Sequence, residues 1–375
     1  MGTLLTRPRQ QQVLRVLEIG RHLDPVRRAS TDVGLRLTDG NDWSVLWSYR
    51  VPWAAEAFTN RRRGPAAGPT LLNHMPGTLP LASKAHLPAL AHEAGVERSI
   101  PRSFLLPDEA SSLMRAVANE GLRDSNGLPR WLLKSRQHRG VRVLPSASSL
   151  ALANYSPAIV QRRVEPLLLS GLRRAFDVGL YILVTSVRPL RVFAYDLALV
   201  RFCEHDFPTS AAAFESDPLA FVISHYTPIW SLDSFSTALR GCDGSAACAL
   251  RTRLAADGHD GNRIFDEMHR ISLALLGALN ARVRAGLAQH RLTSDEVFEL
   301  FRFDFLLNDR AEPILTEVNL SPNLAASHPQ DGRVKDALVR DVLRMVTVRF
   351  NASRSVAELA AAEESVRGGF RRLHS

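Results

Sequence analysis

Residues 298–324 read FELFRFDFLLNDRAEPILTEVNLSPNL, from Phe298 to Leu324. Two apolar alternating runs, Phe301 to Leu307 and Ile314 to Leu320, are separated by Asn308-Asp309-Arg310-Ala311. This pattern predicts two antiparallel strands joined by a tight turn. In the first strand Arg302, Asp304 and Leu306 share one face and Phe303, Phe305 and Leu307 the other; in the second, Leu315, Glu317 and Asn319 share a face. A loop with an even number of residues puts Asp304 on the face that carries Glu317 and Asn319. Two carboxylates and an amide in so small a space repel one another unless a cation or a raised pKa relieves them. An all-oxygen set points to magnesium rather than zinc. The bland alternative is a solvated hairpin face, since short motifs match by accident.

The flanks carry more information. FRFDFLLND followed by EPILTEVNLSPNL resembles, almost position by position, the motif of the tubulin tyrosine ligase-like family, and Ser321-Pro322 also matches. The resemblance implies an α/β (α+β) ATP-grasp fold, with a small N-terminal lobe and two α+β lobes clasping ATP. It also implies that Asp304, Glu317 and Asn319 are magnesium ligands that hold the ATP phosphates. Motifs in the family's order cover about residues 42–350, which leaves a basic N-terminal extension at 1–41 and a C-terminal helical tail at 351–375.

The whole chain sets the bounds. Its 375 residues suffice for two or three lobes, each with its own core, and 45% apolar with 23% charged residues is ordinary for a globular protein. There is no run of about 18 apolar residues, so no transmembrane segment is expected. Three cysteines, Cys203, Cys242 and Cys248, make neither a disulfide framework nor a zinc knuckle, and they read as reduced thiols of a cytosolic protein. A net charge of +9 implies an acidic partner or substrate, or else a general affinity for nucleic acid or anionic membrane. Lysine occurs only at Lys84, Lys134 and Lys335, among 47 basic residues, so each lysine is a candidate for chemistry that needs a compact ammonium.

The arginine-rich residues 1–40 read as a helical extension, and Met1-Gly2-Thr3-Leu4-Leu5-Thr6 also fits the myristoylation pattern. Further on, LLNHMPGTLPLASKAHLPALA (71–91) and IPRSFLLPDE (100–109) resemble the family's entry segment, and Lys84 falls on its lysine. WLLKSRQHRGVRVL (131–144) reads as strand, basic loop, strand, the form of a flap in which backbone N–H groups and cations meet phosphate. By the resemblance Lys134 contacts the α or β phosphate, with Arg139 and Gly140 in the flap. SPAIVQRRVEP (156–166) resembles the hinge that receives adenine; Gln161 is kept and the family's tyrosine is not. Leu180 to Phe202 predicts a long pair of strands joined at Val187-Arg188-Pro189, with Arg201 at its end, aimed at phosphate or a carboxylate. Residues 206–262 read as loops with short helices, 263–287 as one long helix, and the stretch after Ser353 as a helix that stops at Gly368-Gly369 and leaves a basic end.

Two departures bear on activity. Where the family carries Lys-Phe-Asp-Leu-Arg, this chain has Ala175-Phe176-Asp177-Val178-Gly179. The lysine that helps hold ATP and the arginine at the substrate end are both gone; Arg173 and Arg174 are near enough to replace the first. His225-Tyr226-Thr227-Pro228 likewise resembles a His-Leu-Thr-Asn motif with its asparagine replaced.

The resemblance thus implies an enzyme that uses ATP and Mg²⁺ to ligate a free amino acid, glutamate by preference, to tubulin or another acidic protein tail through an acylphosphate. Lys134, Arg201 and Glu317 would carry the chemistry. Lys84, Lys134, Arg139, Gly140, Gln161, Arg174, Arg201 and Asn319 would hold the nucleotide. The expected protein is a cytoplasmic, cytoskeleton-associated monomer, with cilium or basal body included. The alternative is a weakened pseudoenzyme that binds nucleotide and microtubule tails. A nucleic-acid binder would rest on charge alone, as no helix-turn-helix, zinc finger or RNP-like pattern accompanies it.

Overall fold

The computed structural model describes residues 12–18, 20–61, 69–135, 141–144, 158–223, 225–350 and 355–374. Three sheets organise them. The first is parallel and comes from the N-terminal part: β1 (Val13–Leu17), β2 (Arg36–Leu37), β3 (Val45–Ser48) and β4 (Leu71–Leu72) lie in the order β2-β1-β3-β4. From Gln12 on, the expected helical extension is instead a central strand, whose alternate residues Leu14 and Val16 are buried, followed by the helix Asp24–Asp32. Branched and leucine residues on alternate positions favour a half-buried strand over a helix here, whatever the arginine content.

The second sheet is antiparallel: β5 (Ser103–Leu106), β6 (Trp131–Ser135), β7 (Val141–Val143) and β8 (Ala158–Arg162) lie in the order β5-β8-β6-β7. The helix Ala110–Glu120 covers it through Leu113, Ala116 and Val117 against Phe104, Trp131 and Val160. The flap residues Arg139 and Gly140 lie outside the described residues.

The third and largest sheet holds β9 (Phe176–Val187), β10 (Leu190–Tyr195), β11 (Leu199–Phe202), β12 (Thr227–Pro228), β13 (Glu299–Leu307), β14 (Pro313–Asn319) and β15 (Phe370–Leu373). All twelve residues of β9 are buried. One edge pairs with β11 and then β10, and the other runs along β13, which pairs onward with β14. Val178, Leu180, Ile182 and Val184 enter one core with Ile264, Met268, Ile271 and Leu275 of the helix Gly261–Gln289. Tyr181 and Leu183 enter the other with Leu338 and Val342 of the helix Pro329–Thr347. A strand covered on both faces has no need of polar alternation, hence its continuous apolar sequence. The helix Gly261–Gln289 is long and apolar enough to cross a membrane by length and composition. One stripe of it, with Ile264, Met268, Ile271 and Leu275, is core packing against β9.

Three further sequence expectations change. The predicted strand pair over Leu180–Phe202 is three strands, with Arg201 on β11, opposite Asp177 of β9. The C-terminal end is not free: after the helix Val356–Ser365, Gly368 at φ 56° turns the chain and β15 joins β10 at the edge of the largest sheet. Glu363, fully buried, ties that helix inward through Arg191 Nε at 2.8 Å and Thr185 Oγ1 at 3.0 Å. Finally, Cys242 and Cys248 form a disulfide. Six residues apart, they sit at the end of the helix Ser236–Gly241 and in the first turn of the helix Ala246–Ala256, where the intervening turn brings their Cα atoms to 5.7 Å.

Replacing both paired cysteines, Cys242→Ser with Cys248→Ser, should lower the unfolding free energy by about 2 kcal/mol, the loop-closure value for so short a loop. Urea unfolding of the oxidised wild type and the double variant measures it. Cys203 should resist alkylation in the native protein, because burial pushes its thiol up to about 12.

Candidate functional site

The hairpin expected from residues 298–324 is present, and its geometry decides the site. Asn308 makes the turn: its side-chain oxygen accepts from the N–H of Arg310 and of Glu312. A β-bulge after Asp304 absorbs Thr316, whose hydroxyl donates to the Asp304 carbonyl at 2.9 Å. The shift keeps Asp304 directly opposite Glu317, and Arg302 opposite Asn319. Phe301, Phe303 and Phe305 go into the core with the helix Gly261–Gln289, which leaves Arg302, Asp304 and Leu306 on the other face.

On that face, beyond the cover of the helix Pro329–Thr347, the sheet changes from leucine and tyrosine to charge. Arg201 grips Asp177 with two parallel bonds, Nε–Oδ1 at 2.8 Å and Nη2–Oδ2 at 2.6 Å. Arg302 grips Asp304 in the same way, Nε–Oδ1 at 2.7 Å and Nη2–Oδ2 at 2.8 Å. Arg201 Nη2 bridges the pairs at 3.1 Å from Asp304 Oδ2, to which the Asn319 amide also donates at 3.0 Å. Two fork-to-carboxylate pairs from three neighbouring strands form a closed buried network. Burial pushes the Asp177 carboxyl up to about 6, helped by Asp304 and opposed by Arg201. Burial works the same way on Asp304, but Arg302 and Arg201 outweigh it and hold that carboxyl below its ordinary range.

This network floors a cleft of about 590 Å³. Its walls include Lys84, Lys134, Gln161, Arg163, Val164, Ala175, Asp177, Arg201, Asp304 and Glu317. The Lys134 ammonium donates to Gln161 Oε1 at 2.5 Å, and Gln161 donates in turn to Ser103. Lys84 reaches Glu317 at 3.8 Å. Burial pushes Lys134 down to about 8, with Lys84 adding to the effect and Glu317 resisting it. Lys84 and Lys134 thus put two ammonium groups on the wall of one cleft, the charge that an anionic ligand would need there.

Of the residues named from sequence, Lys84, Lys134, Gln161, Arg201, Asp304 and Glu317 thus line one cleft, and Asn319 is bonded to Asp304. Arg174 is turned elsewhere, to Asp206 at 3.7 Å and Thr227 at 3.4 Å, and neither it nor exposed Arg173 lines the cleft at Ala175. In this structure neither of them stands where the missing lysine would be. Ala175 packs instead with Leu132, Cys203, Phe207 and Phe214. Lys335 is structural: its ammonium bonds Asp331 at 2.8 Å and the Ala325 carbonyl at 2.7 Å.

A magnesium ion held by Asp304, Glu317 and Asn319 together does not fit this arrangement. Both Asp304 oxygens are already bonded to guanidinium groups, and Asp304 is 2% exposed. Among the described residues no three His, Cys, Asp or Glu side chains converge as a metal site. Sequence reasoning missed Arg302, although its position two residues before Asp304 placed it on the same face.

Comparison with known proteins gives one family. The model of the "Tubulin-tyrosine ligase family" matches residues 66–355, more than three quarters of the chain. A Caenorhabditis elegans protein described as a probable tubulin polyglutamylase is 27% identical over 323 residues, 84% of this chain and 59% of the relative. A Homo sapiens tubulin monoglutamylase is 26% identical over 323 residues, 81% of this chain and 25% of its own length. A Tetrahymena thermophila probable alpha-tubulin polyglutamylase is 25% identical over 350 residues, 82% and 79% of the two chains. The chain thus spans little more than half of the first relative and a quarter of the second.

Lys134 gives the cleft a pH signature. With an ordinary value of 10.5 and a folded value of about 8, the folded chain holds fewer protons than the unfolded one between those limits, so this group's contribution to stability rises with pH across that window. A bound polyanion reverses the depression. Affinity for inorganic triphosphate should therefore be highest below pH 8 and fall above it, by at most about tenfold per pH unit. Calorimetric titrations from neutral to alkaline pH measure this, and Lys134→Arg should flatten the profile. An equal decline in Lys134→Arg would assign it to another group.

Proposed function

The chain belongs to the tubulin-tyrosine ligase family, and from that premise we propose that it is an ATP-dependent amino-acid ligase whose acceptor is the acidic tail of tubulin and whose preferred donor is glutamate. The observation that carries the reading is the cleft itself: Lys84 and Lys134 share it with Asp177, Arg201 and Asp304, the last held by Arg302, and with Gln161 and Val164. The two α+β parts, the sheet with β6 and β8 and the sheet with β9 and β13, would clasp ATP as in an ATP-grasp protein. Support for glutamate comes from the relatives, which are described as tubulin polyglutamylases and a monoglutamylase. The chain's net charge of +9 suits an acidic acceptor.

In this reading the ammonium groups of Lys84 and Lys134 hold the phosphates, and backbone groups around Gln161–Val164 read the adenine edge. A substrate carboxylate attacks the γ-phosphorus, ADP leaves, and the acylphosphate so formed is attacked by an amine that loses a proton as inorganic phosphate departs. The cations of the cleft stabilise charge as it moves from the γ-phosphate to the ADP oxygen. Cations of the floor orient the carboxylate, Arg201 being the one that lines the cleft. A divalent ion, which the family's chemistry employs to shield phosphate charge, would find Glu317 and the Asn319 carbonyl oxygen here. Action at the microtubule surface places the protein on the cytoskeleton; the Cys242–Cys248 bond pulls the other way, since such bonds are rare in reducing compartments.

A second reading is favoured by Ala175: with a methyl group where the family has an ammonium, the cleft binds nucleotide and the surface binds tails without turnover. Labelled glutamate supplied with ATP and microtubules separates the two. The ligase should incorporate label only with ATP, and only into tubulin that keeps its acidic tails. Ala175→Lys should raise the rate by about one to two orders of magnitude, the worth of one charge-assisted contact. ATP bound by both proteins with no incorporation of glutamate, glycine or tyrosine would leave the binding protein standing.

A further inference from the structure

Arg302 occupies its place because position 179 has no side chain. The register sets Asp304 opposite Gly179 and Arg302 opposite Tyr181. A Cβ on Gly179 would lie 3.0 Å from Arg302 Cδ, 3.1 Å from Asp304 Oδ1 and 3.4 Å from Arg302 Cγ. The first two contacts are tighter than most packed Cβ atoms make, so a side chain at 179 would push the arginine stem and the carboxylate aside, whereas glycine leaves the stem its place. The guanidinium, 8% exposed as a residue, then closes both oxygens of Asp304.

The electrostatic consequence concerns the cation this carboxylate would otherwise attract. Magnesium demands an oxygen at about 2.0–2.1 Å in near-octahedral geometry. At Asp304 it would have to break a two-bond fork and approach two guanidinium groups, Arg302 and Arg201, in a buried site where like charges are poorly screened. The floor is already balanced, with two carboxylates against two guanidinium groups, so it offers a dication no excess negative charge.

We propose that Arg302, seated over Gly179, is the resident cation of Asp304, standing in for a divalent ion there, so that nucleotide charge is met by Lys84 and Lys134 and a metal is left only Glu317 and Asn319. The inference rests on the cleft being a nucleotide site, and it makes nucleotide affinity only weakly dependent on divalent cations. Arg302→Met keeps much of the stem's volume and removes the charge. It leaves one guanidinium, Arg201, to serve both Asp177 and Asp304, so metal-free ATP should be repelled and magnesium should recover the loss.

The experiment is calorimetric titration of ATP into the full chain, in excess magnesium and in EDTA, at equal ionic strength. The wild type should lose less than about thirtyfold in affinity when magnesium is removed. Arg302→Met should lose roughly ten- to a hundredfold more than the wild type does, the range for one charge-assisted contact. Arg302→Lys, which keeps the charge and gives up the fork, should fall between them. A wild-type loss above about thirtyfold overturns the inference by itself, so the test does not depend on the variants folding. Tight magnesium-dependent binding would do so while leaving the ligase reading intact. Absence of ATP binding in both conditions would instead overturn the nucleotide site, and both readings with it.

Discussion

Two carboxylates and two guanidinium groups on β9, β11 and β13 are the constraint on which the rest of the molecule depends. Asp177, Arg201, Arg302 and Asp304 are each less than 10% exposed. Removing such charges from water costs several kcal/mol per ion unless geometry and hydrogen bonding return it, so an isolated member of the set would not be tolerated. Here each carboxylate receives two parallel bonds and a bridge joins the pairs. This demands that three strands hold their register: a slip of one residue would turn Asp304 into the phenylalanine core. The bulge at Asp304/Phe305 and the Asn308 turn fix that register on one side.

The register is secured from farther away as well. His74, 1% exposed, bonds Glu299 at 2.8 Å, and Glu299 also accepts from the Met75 N–H at 2.6 Å. The turn carrying His74 is pressed onto the helix Gly261–Gln289 so closely that a Cβ at Gly77 would sit 2.6 Å from the Arg282 carbonyl oxygen, and a Cβ at Gly286 2.9 Å from Pro76. The sequence His-x-Pro-Gly therefore reads as a clamp between the first sheet, β13 and the long helix. Lys84 follows seven residues later, at a distance from the floor set by that clamp.

Much of this was legible in the chain. The hairpin and its turn follow from alternation; the convergence of Asp304 with Glu317 and Asn319 does not, because the strands are joined by an odd loop, 308–312, and only the bulge that passes over Thr316 restores the pairing an even loop would give. Lys134 at the end of an apolar strand and Gln161 at the end of another were placed by the family resemblance, and both line the cleft. What was not legible depended on pairing between distant strands. Nothing in FRFDF says that Arg302 will meet a glycine at 179, because that contact exists only once β9 and β13 are side by side. The same holds for Phe370–Leu373: an arginine-rich end looks solvated until β10 offers it an edge and Phe370 a buried place against Tyr195. Scarcity of lysine misled in one case of three, since Lys335 serves a buried ion pair within the helix Pro329–Thr347.

The distribution of charge in the cleft follows from which elements are rigid. Guanidinium groups and carboxylates sit on the largest sheet, on strands whose dihedral freedom is spent in pairing, where the planar fork of arginine can be matched bidentately to a fixed partner. The ammonium groups sit elsewhere, Lys84 between short helices and Lys134 near the end of β6, half-buried and weakly paired. A compact, multidirectional donor is suited to a partner whose position is not fixed by the fold. The floor, being neutralised from within, can hold geometry without attracting counterions. The walls carry ammonium groups that are only loosely held, Lys84 by Glu317 at 3.8 Å and Lys134 by the neutral amide of Gln161, and in the proposed reading the polyanion makes its new electrostatic contacts there. The division also explains why losing the ammonium at Ala175 is tolerated by the fold: that position packs against Phe207 and Phe214, and a charge there would have needed an anion from outside the protein.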